Sequence, residues 1–306
     1  MKTIVCALLL LSLPAWGASS LPEEKKGDPA PDTKTAGDLL KRGRYEDAIR
    51  QAKLALGRDE RYVPAMIVMA KSYYYLKKYE LAGSIVDLAK SIDPNNGPNN
   101  AECYNLLGFL ALAREDKIGA TAAFKKASES DANFGPGWLN LTAQYLLAKN
   151  YDGATDAGER AAKIMASSSR AHLNLGSAYR GKQRYADAEK EYKLAASLAP
   201  QDADPWFNLG ILYLDAKEMP PNDLVGKLNT AINHFNKYKQ LAGYKLTKDD
   251  PVDTYLNDAR TQIDRELKRQ ERMKKQQERG KPKDAAGAPA ATPAPAAAPA
   301  AGAPKK

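Results

Sequence analysis

The sequence contains little cysteine and histidine, the residue types that most often build metal centres and covalent cross-links. Its 306 residues include two cysteines, Cys6 and Cys103, and two histidines, His172 and His234. A zinc ribbon, an iron–sulfur site, a histidine metal centre or a disulfide framework needs more ligands or more thiols than this. These classes of protein are therefore excluded, and we expect no metal and no cofactor.

The motifs of common enzyme families are also missing. The chain has no glycine-rich phosphate loop, no His-Glu-x-x-His and no Gly-x-Ser-x-Gly. Nucleophilic catalysis needs a nucleophile beside a base, and no nucleophile is in register with His234. His172 is interpreted as a residue of a packed helix pair. The sequence thus predicts a protein that is not an enzyme.

Positive charge is concentrated near the C-terminal end. The formal net charge is +9. Between Asp264 and Lys283 nine Lys and Arg stand against four Asp and Glu, and Lys305 and Lys306 add two more positive charges. The rest of the chain is close to neutral and lacks the basic surface that a phosphate backbone requires. We expect no nucleic-acid partner, although the basic segment is suited to an anionic envelope surface.

The first eighteen residues have the layout of a secretory signal peptide. Lys2 precedes an apolar run over 4–13, and Pro14 and the small residues Gly17 and Ala18 follow. The run is too short for a permanent membrane anchor. We predict cleavage of residues 1–18 and export to the periplasm or cell envelope, with a buried N-terminal helix as the alternative. Cys103 is then either a small buried residue or a free thiol.

Two segments have compositions that cannot build a core. Residues 19–35 are polar and proline-bearing and predict a disordered linker. Residues 281–306 hold twelve alanines and six prolines. Proline at that density favours the extended polyproline II conformation, so we predict a disordered tail over 280–306 that acts as a spacer or tether.

The middle of the chain repeats with a period of 34 residues. A Tyr followed three residues later by Ala recurs at 45 and 48, 79 and 82, 151 and 154, and 185 and 188. Other positions keep the register: an aromatic at Tyr104, Trp138 and Trp206, and a Leu three residues later in each case. Relative to this period, extra residues occur at 97–100 and 219–227, and both insertions are predicted to lie between helices. A fixed period of this length is typical of stacked helical repeats.

These residues resemble the tetratricopeptide repeat family. Its W-x-x-L-G-x-x-Y and A-x-x-x-F patterns and its terminal Pro are matched over roughly residues 36–242. Thr142 for Gly and a truncated first unit depart from the pattern. We predict an all-α fold, a right-handed α-solenoid of about six helix hairpins over 36–246, closed by a capping and basic helix over 249–279. The units are predicted near 36–62, 63–96, 101–134, 135–168, 169–202 and 203–242.

The resemblance implies a peptide-binding groove on the first helix of each unit. The corresponding residues are Ile67, Lys71, Asn105, Phe109, Leu139, Asn140, Leu173, Asn174, Phe207, Asn208 and Ile211. Most of these side chains are apolar, and amides stand beside them. In the alternative interpretation Leu139, Leu173 and Phe207 pack only against neighbouring helices.

The composition of this groove indicates the kind of partner. Family members that hold the acidic C-terminus of heat-shock chaperones use Lys or Arg and Asn across three units. Here Lys71 is present, but the later partner positions are Leu, Ala and Ser. The sequence therefore predicts a scaffold that binds an apolar peptide or helix of a protein partner.

The alternative function is an electrostatic tether, in which the basic C-terminal segment binds anionic polymer or lipid. The whole layout is similar to that of tetratricopeptide-repeat components of bacterial envelope machinery, such as the gliding-motility complexes of myxobacteria. That similarity implies a role in a motility or secretion and assembly complex.

Overall fold

A computed structural model describes residues 27–279 except 96, 217–219, 221, 222 and 248. The predicted signal peptide over 1–18 and the predicted tail over 280–306 lie outside the described residues, as does most of the loop that begins at 217. Within the described ranges, no helix combines the length and the apolar composition that crossing a membrane requires.

Thirteen α-helices and one 3-10 turn make up the described part of the chain, where no β-strand occurs. The all-helical prediction is confirmed, while the right-handed winding stays a prediction. The helices are α1 (Ala30–Lys41), α2 (Tyr45–Arg58), α3 (Val63–Tyr75), α4 (Tyr79–Ile92), α5 (Pro98–Ala113), α6 (Lys117–Ser130), α7 (Gly135–Leu147), α8 (Tyr151–Ile164), α9 (Ser169–Gly181), α10 (Tyr185–Leu198), α11 (Asp204–Asp215), α12 (Leu224–Ala242) and α13 (Val252–Arg279), with the 3-10 turn at Gly243–Lys245.

The chain divides into two compact units, and the boundary follows Lys182. The first unit contains α1 to α9, and its successive helices pack as antiparallel pairs: α1 with α2, α3 with α4, α5 with α6 and α7 with α8. The first helix of each pair also contacts the first helix of the next pair. Because these odd-numbered helices adjoin one another, their outer sides form one continuous face.

Prolines and side-chain caps determine where many of the helices begin. Pro64, Pro98, Pro136 and Pro205 stand in the first turns of α3, α5, α7 and α11. Proline is tolerated there because the first amide groups of a helix have no intrahelical acceptor. Three of the second helices, α6, α8 and α12, have a side-chain cap instead, as where Asp116 accepts a hydrogen bond of 2.8 Å from the Gly119 amide.

The turns within the hairpins of the first unit share one backbone conformation. Gly43, Lys77, Glu115 and Lys149 have φ values of 74°, 58°, 62° and 56°. Three of the four are not glycine, although the left-handed region costs an L-residue roughly 1 kcal/mol. The Lys78 amide donates to the Tyr73 carbonyl at 2.9 Å, which closes the end of α3 as in a Schellman motif.

A glycine opposite an aromatic ring sets the spacing in two of the helix pairs, α5 with α6 and α11 with α12. A Cβ atom on Gly108 would lie 2.4 Å from the Phe124 ring, and one on Gly210 would lie 2.5 Å from Phe235. Both rings are fully buried. The absence of a side chain on the first helix therefore makes room for the ring on the second.

The pair α7 and α8 reverses this arrangement and explains the departure at Thr142. Here the second helix carries Gly158 in place of the ring, and a Cβ on that glycine would lie 3.3 Å from the Thr142 methyl group. Leu175 of α9 approaches the same point at 3.2 Å. The side chains of Thr142 and Leu175 fill the space that a ring on α8 would occupy, so Thr142 in place of Gly preserves the packing.

The second unit ends in the predicted capping helix. Val252, Leu256 and Ala259 of α13 are buried, and α13 contacts α12. Tyr255 stacks on Phe235 with ring centroids 5.7 Å apart. The Tyr238 hydroxyl donates to Asp250 at 2.6 Å, and burial together with that carboxylate raises the pKa of Tyr238 to about 12. Polar and aromatic contacts together hold α13 in place.

The first correction to the predicted boundaries concerns the N-terminal segment. Helix α1 begins at Ala30, inside the predicted linker over 19–35, so the first repeat is not truncated. Arg58 of α2 donates to Asp32 at 2.7 Å, and Ala36 is fully buried. Packing on α2 outweighs the polar composition of this segment.

Both predicted insertions are partly helical. Pro98, Asn99 and Asn100 form the first turn of α5 instead of an interhelical loop, and the Asn100 side chain donates to the Asn95 carbonyl at 2.8 Å. In the second insertion, residues 224–227 begin α12, and the buried Lys227 ammonium donates to the Ala216 carbonyl at the end of α11. That hydrogen bond satisfies a carbonyl that the helix leaves free.

Replacing Gly108 with Ala is expected to destabilise the fold by about 1–3 kcal/mol, because the new methyl group meets the buried Phe124 ring. Gly83→Ala is the matched control, since the nearest atom lies 4.0 Å from its Cβ position, and it should be neutral or stabilising by up to about 1 kcal/mol. Chemical denaturation of both variants measures the difference. Equal stabilities would contradict the packing argument.

Candidate functional site

The face formed by the first helices of the first unit contains a cleft with a volume of about 870 Å³. Helices α1, α3 and α5 supply most of its surface, and the start of α7 completes it. Four of the predicted groove residues line it: Ile67, Lys71, Asn105 and Phe109. Ile67 is itself buried, so its contribution to the cleft surface is small.

Aromatic rings cover much of the cleft surface. Tyr45 stacks on Tyr75 with centroids 5.0 Å apart, and Tyr75 meets Tyr74 edge-on at 5.5 Å. Tyr74 continues to Phe109 at 6.0 Å. We call these four residues the aromatic row. Tyr75 is 55% exposed, which makes it the most accessible member for a ligand.

The single salt bridge inside the cleft joins two neighbouring first helices. The Lys71 ammonium of α3 lies in hydrogen-bond contact with the Glu102 carboxylate of α5. Because the charges neutralise each other, Lys71 is not available as an isolated cation for a ligand carboxylate. This pairing agrees with the apolar character that the sequence predicts for the groove.

Two of the predicted amides donate side-chain hydrogen bonds to other groups of the protein. The Asn140 side chain donates to the Asn105 oxygen at 2.8 Å, so α5 and α7 are joined at the edge of the cleft. In the second unit, the Asn208 side chain donates instead to the Asp204 carbonyl of its own helix at 2.9 Å. One amide hydrogen of Asn208 is therefore used in a bond to the first turn of α11.

The remaining predicted groove residues do not line the cleft. Leu139, Leu173 and Asn174 are half-buried on α7 and α9. In the second unit, Ile211 is half-buried and Phe207 packs against Phe235, Tyr238 and Tyr255 at 5.0–5.9 Å. Phe207 thus serves the contact between α11, α12 and α13, and the role of this set in ligand binding stays a prediction.

Sequence reasoning missed the aromatic row except for Phe109. Tyr74 and Tyr75 end α3, and Tyr45 begins α2, outside the positions that the family resemblance marks. The run Tyr73–Tyr75 was the available signal. Helical spacing alone could not show which of these rings faces the cleft, because the row is formed by rings from α2, α3 and α5, which meet only in the folded chain.

Cys103 is a buried core residue. Its side chain is 1% exposed and packs among Val86, Ala89 and Leu106. Burial, with the nearby Glu102 carboxylate, raises the pKa of its thiol to about 11. A thiol with so high a pKa carries little thiolate at neutral pH, so the buried interpretation of Cys103 is the one that the structure supports.

A polar cluster lies inside the second unit. The Tyr213 hydroxyl donates to Glu189 at 2.6 Å, and Lys193 pairs with the same carboxylate at 2.6 Å. Burial favours a raised pKa for Glu189, but the hydrogen bonds from Lys193 and Tyr213 prevail and lower that pKa. His234 packs between Trp206 and Tyr213, with ring centroids 5.8 and 5.4 Å away.

This cluster offers no evident catalytic chemistry. Burial, reinforced by Lys193 and opposed by Glu189, holds the pKa of His234 below its ordinary value. Tyr213 has a raised pKa because of burial and its bond to Glu189 and is a poor nucleophile. Among the described residues, no group of three His, Cys, Asp or Glu side chains is placed to hold a metal ion.

Comparison with known proteins identifies the repeat. Residues 169–202, which contain α9 and α10, match the family model described as tetratricopeptide repeat. The match confirms the resemblance for that repeat, and the helix pairs elsewhere have the same layout. A search of curated protein sequences returned no match.

Solved structures with the same fold cover most of the chain. The Pseudomonas aeruginosa pilF protein superposes with a TM-score of 0.60 at 18% identity, over 76% of this chain and 97% of that chain. PilW, a widely conserved type IV pilus biogenesis factor, gives 0.56 at 20% identity, over 75% and 97%. The Cut9–Hcn1 hetero-tetramer of the APC/C gives 0.60 at 16% identity, over 78% of this chain and 43% of that chain. At these identities the likeness concerns the fold alone.

His234 makes the stability of the fold depend on pH. Because its pKa in the folded state is depressed, the unfolded chain binds more protons, and stability falls as the pH drops below about 6.5. We expect His234→Phe to lose this part of the pH dependence. Denaturant unfolding at pH 7.5 and pH 5.5 measures it. The same loss of stability in both proteins would show that His234 is not responsible.

Proposed function

We propose that this tetratricopeptide-repeat protein is a non-enzymatic scaffold that binds an apolar segment of a partner protein in the cleft of its first unit. The tetratricopeptide fold typically serves protein–protein interaction, and the cleft supports such a role for this chain. The observation that carries the proposal is the aromatic row, which exposes ring surface along a cleft of about 870 Å³.

The energetics favour an apolar ligand over a charged one. Each apolar side chain that a partner buries against the row contributes roughly 1.5–3 kcal/mol. A ligand carboxylate would have to compete with Glu102 for Lys71, and the displaced Glu102 would lose its partner. Charge recognition is thus disfavoured at the centre of the cleft, whereas burial of apolar surface is not.

The cell envelope is the proposed location, and the signal-peptide pattern of residues 1–18 supports it. Participation in an envelope complex for motility or for secretion and assembly is the corresponding process. PilW is a pilus biogenesis factor with a similar fold, but at 20% identity that likeness supports the fold and not the process.

Tyr75→Asp is expected to weaken partner binding at least tenfold, since it removes an exposed anchor ring and places a charge in the cleft. Tyr244→Asp is the matched control, because Tyr244 is an aromatic residue that is 95% exposed outside the cleft. Photo-crosslinking from position 75 identifies the partner, and titration with each variant measures the affinity. Equal affinities for the two variants would exclude the cleft.

A second candidate function is the electrostatic tether, favoured by one observation on α13. Residues 268–279, here called the basic end, are all exposed and hold six Lys and Arg against two Glu. Lys268 and Lys275 pair with Asp264 and Glu271 one turn away. Exposed pairs of this kind contribute little, so the charges remain open to an anionic surface.

Deleting residues 268–306 should abolish binding to vesicles that contain anionic lipid, and added salt should weaken the binding of the full chain steeply. Sedimentation with anionic and with neutral vesicles measures both effects. Partner binding at the cleft should survive the deletion. If the full chain sediments equally with neutral and anionic vesicles, the tether is ruled out.

A further inference from the structure

We infer that the partner segment in the cleft carries acidic residues beside its apolar anchors, and that these acidic residues contact a basic rim at one end of the cleft. The basic rim consists of Lys41, Arg42, Lys77 and Lys78. The inference rests on the proposed function and adds the chemistry of the partner, which is an apolar segment with an acidic flank. It follows from where the turns of the first two hairpins place their charges.

The backbone of these turns places the basic rim next to the aromatic row. Lys41 ends α1 and lines the cleft itself. The Lys77 amide donates to the Tyr74 carbonyl at 2.9 Å, and the Lys78 amide donates to the Tyr73 carbonyl at 2.9 Å. These hydrogen bonds hold both lysines within one turn of the rings that end α3.

Stacking of Tyr45 on Tyr75 brings the two turns together. Tyr45 begins α2 and follows the turn that contains Arg42, whereas Tyr75 ends α3 and precedes the turn that contains Lys77 and Lys78. The two ring centroids are 5.0 Å apart. Cations from two hairpins therefore lie at the same end of the cleft.

The cations of the basic rim are available to a ligand. Arg42, Lys77 and Lys78 are exposed, and within the described ranges their side chains form no salt bridge and no hydrogen bond. The Lys41 side chain is 81% exposed, and its ammonium lies 3.8 Å from the Asp38 carboxylate. That separation is too long for a hydrogen bond, and an exposed ion pair of this kind is weak.

The carboxylates near the basic rim are mostly engaged by other cations. Arg114 pairs with Glu80 at 2.8 Å, and Arg44 donates to Asp47 at 2.6 Å. Glu46 is exposed and has no partner in the part of the chain that the structure describes. Positive charge therefore exceeds negative charge where the two turns meet the cleft.

The opposite end of the cleft carries no ionisable side chain in its lining. It lies at the helix starts, about 20 Å along α3 from the basic rim. The lining residues there are Pro64, Pro98, Asn99, Phe134 and Pro136. Between the two ends, Lys71 and Glu102 neutralise each other. The cleft is thus basic at one end, neutral in the middle and uncharged at the other end.

This distribution of charge defines the complementary ligand. Apolar anchors suit the aromatic row, and acidic residues suit the place where the segment leaves the cleft at the basic rim. Because the rim is exposed to solvent, its charges act mainly on the association rate and on the choice of partner. A segment with a basic flank is repelled there, although its apolar anchors fit the rings equally well.

The test titrates labelled synthetic peptides into the full chain and follows fluorescence anisotropy. All peptides share one Trp and two Leu at helical spacing and have an amidated C-terminus. They differ in one flank, which contains three Glu, three Gln or three Lys, and a further peptide carries the Glu flank at the opposite end. We expect one of the two acidic peptides to bind about fivefold more tightly than the Gln peptide, and the Lys peptide to bind more weakly. Added salt should remove these differences.

The double variant Lys77→Glu with Lys78→Asp tests the basic rim itself. The turn after α5 carries Glu115 and Asp116 at the corresponding positions, and Glu115 has a φ of 62°, so the substituted turn keeps its backbone. This variant should lose the preference for the acidic peptide and keep its affinity for the Gln peptide. Lys149→Glu is the matched control, because Lys149 is exposed in a turn with a φ of 56° outside the cleft lining, and it should keep the preference.

Equal affinity for the acidic, Gln and Lys peptides, with binding that still depends on Tyr75, would overturn the inference and leave the proposed function intact. A preference that survives in the double variant would also overturn it. If no peptide binds, the segment that photo-crosslinks from position 75 decides: acidic residues beside its apolar anchors support the inference, and their absence contradicts it. If that crosslink is also absent, both proposals fall.

Discussion

The close packing of paired helices is the interaction on which the first unit depends, and a glycine makes it possible where α5 meets α6. Where Gly108 faces Phe124, the helix axes come near enough for a fully buried ring to fill the space between them. Neither helix of such a pair has an apolar stripe that it can bury alone, so the pair becomes stable only when the ring is enclosed. The exchange at Thr142 and Gly158 shows that the enclosed volume matters more than which helix supplies it.

The cleft follows from that packing. Because the second helices pack between their own partners and the next pair, the first helices contact one another and present one shared face. Three hairpins are needed to form it, since α1, α3 and α5 each supply part of the surface. The aromatic row is therefore a property of neighbouring repeats together. Its neutrality also depends on two repeats, as Lys71 and Glu102 belong to different hairpins.

The two units put their aromatic residues to different uses. In the first, Tyr75 and Tyr74 remain partly open to solvent at the cleft. In the second, the rings of Phe207, Phe235 and Tyr255 are packed together where α13 covers the end of the repeats. An exposed repeat end leaves an apolar surface that needs a cover, and α13 provides that cover with one face. The basic end of the same helix has no packing role, which leaves its charges free for another task.

The sequence by itself determined the repeats and their helical content. A 34-residue period of aromatic, Leu, Gly and Ala positions is a local signal that any stacked helix pair must satisfy. It also indicated the capping helix, from the spacing of Val252, Leu256 and Ala259. It could not show that α1 begins at Ala30, because the polar composition there is overcome by packing on α2 and by the contact between Arg58 and Asp32. Nor could it place the cleft. The rings of the aromatic row come from three separate hairpins, so they share one surface only after those hairpins have packed against one another.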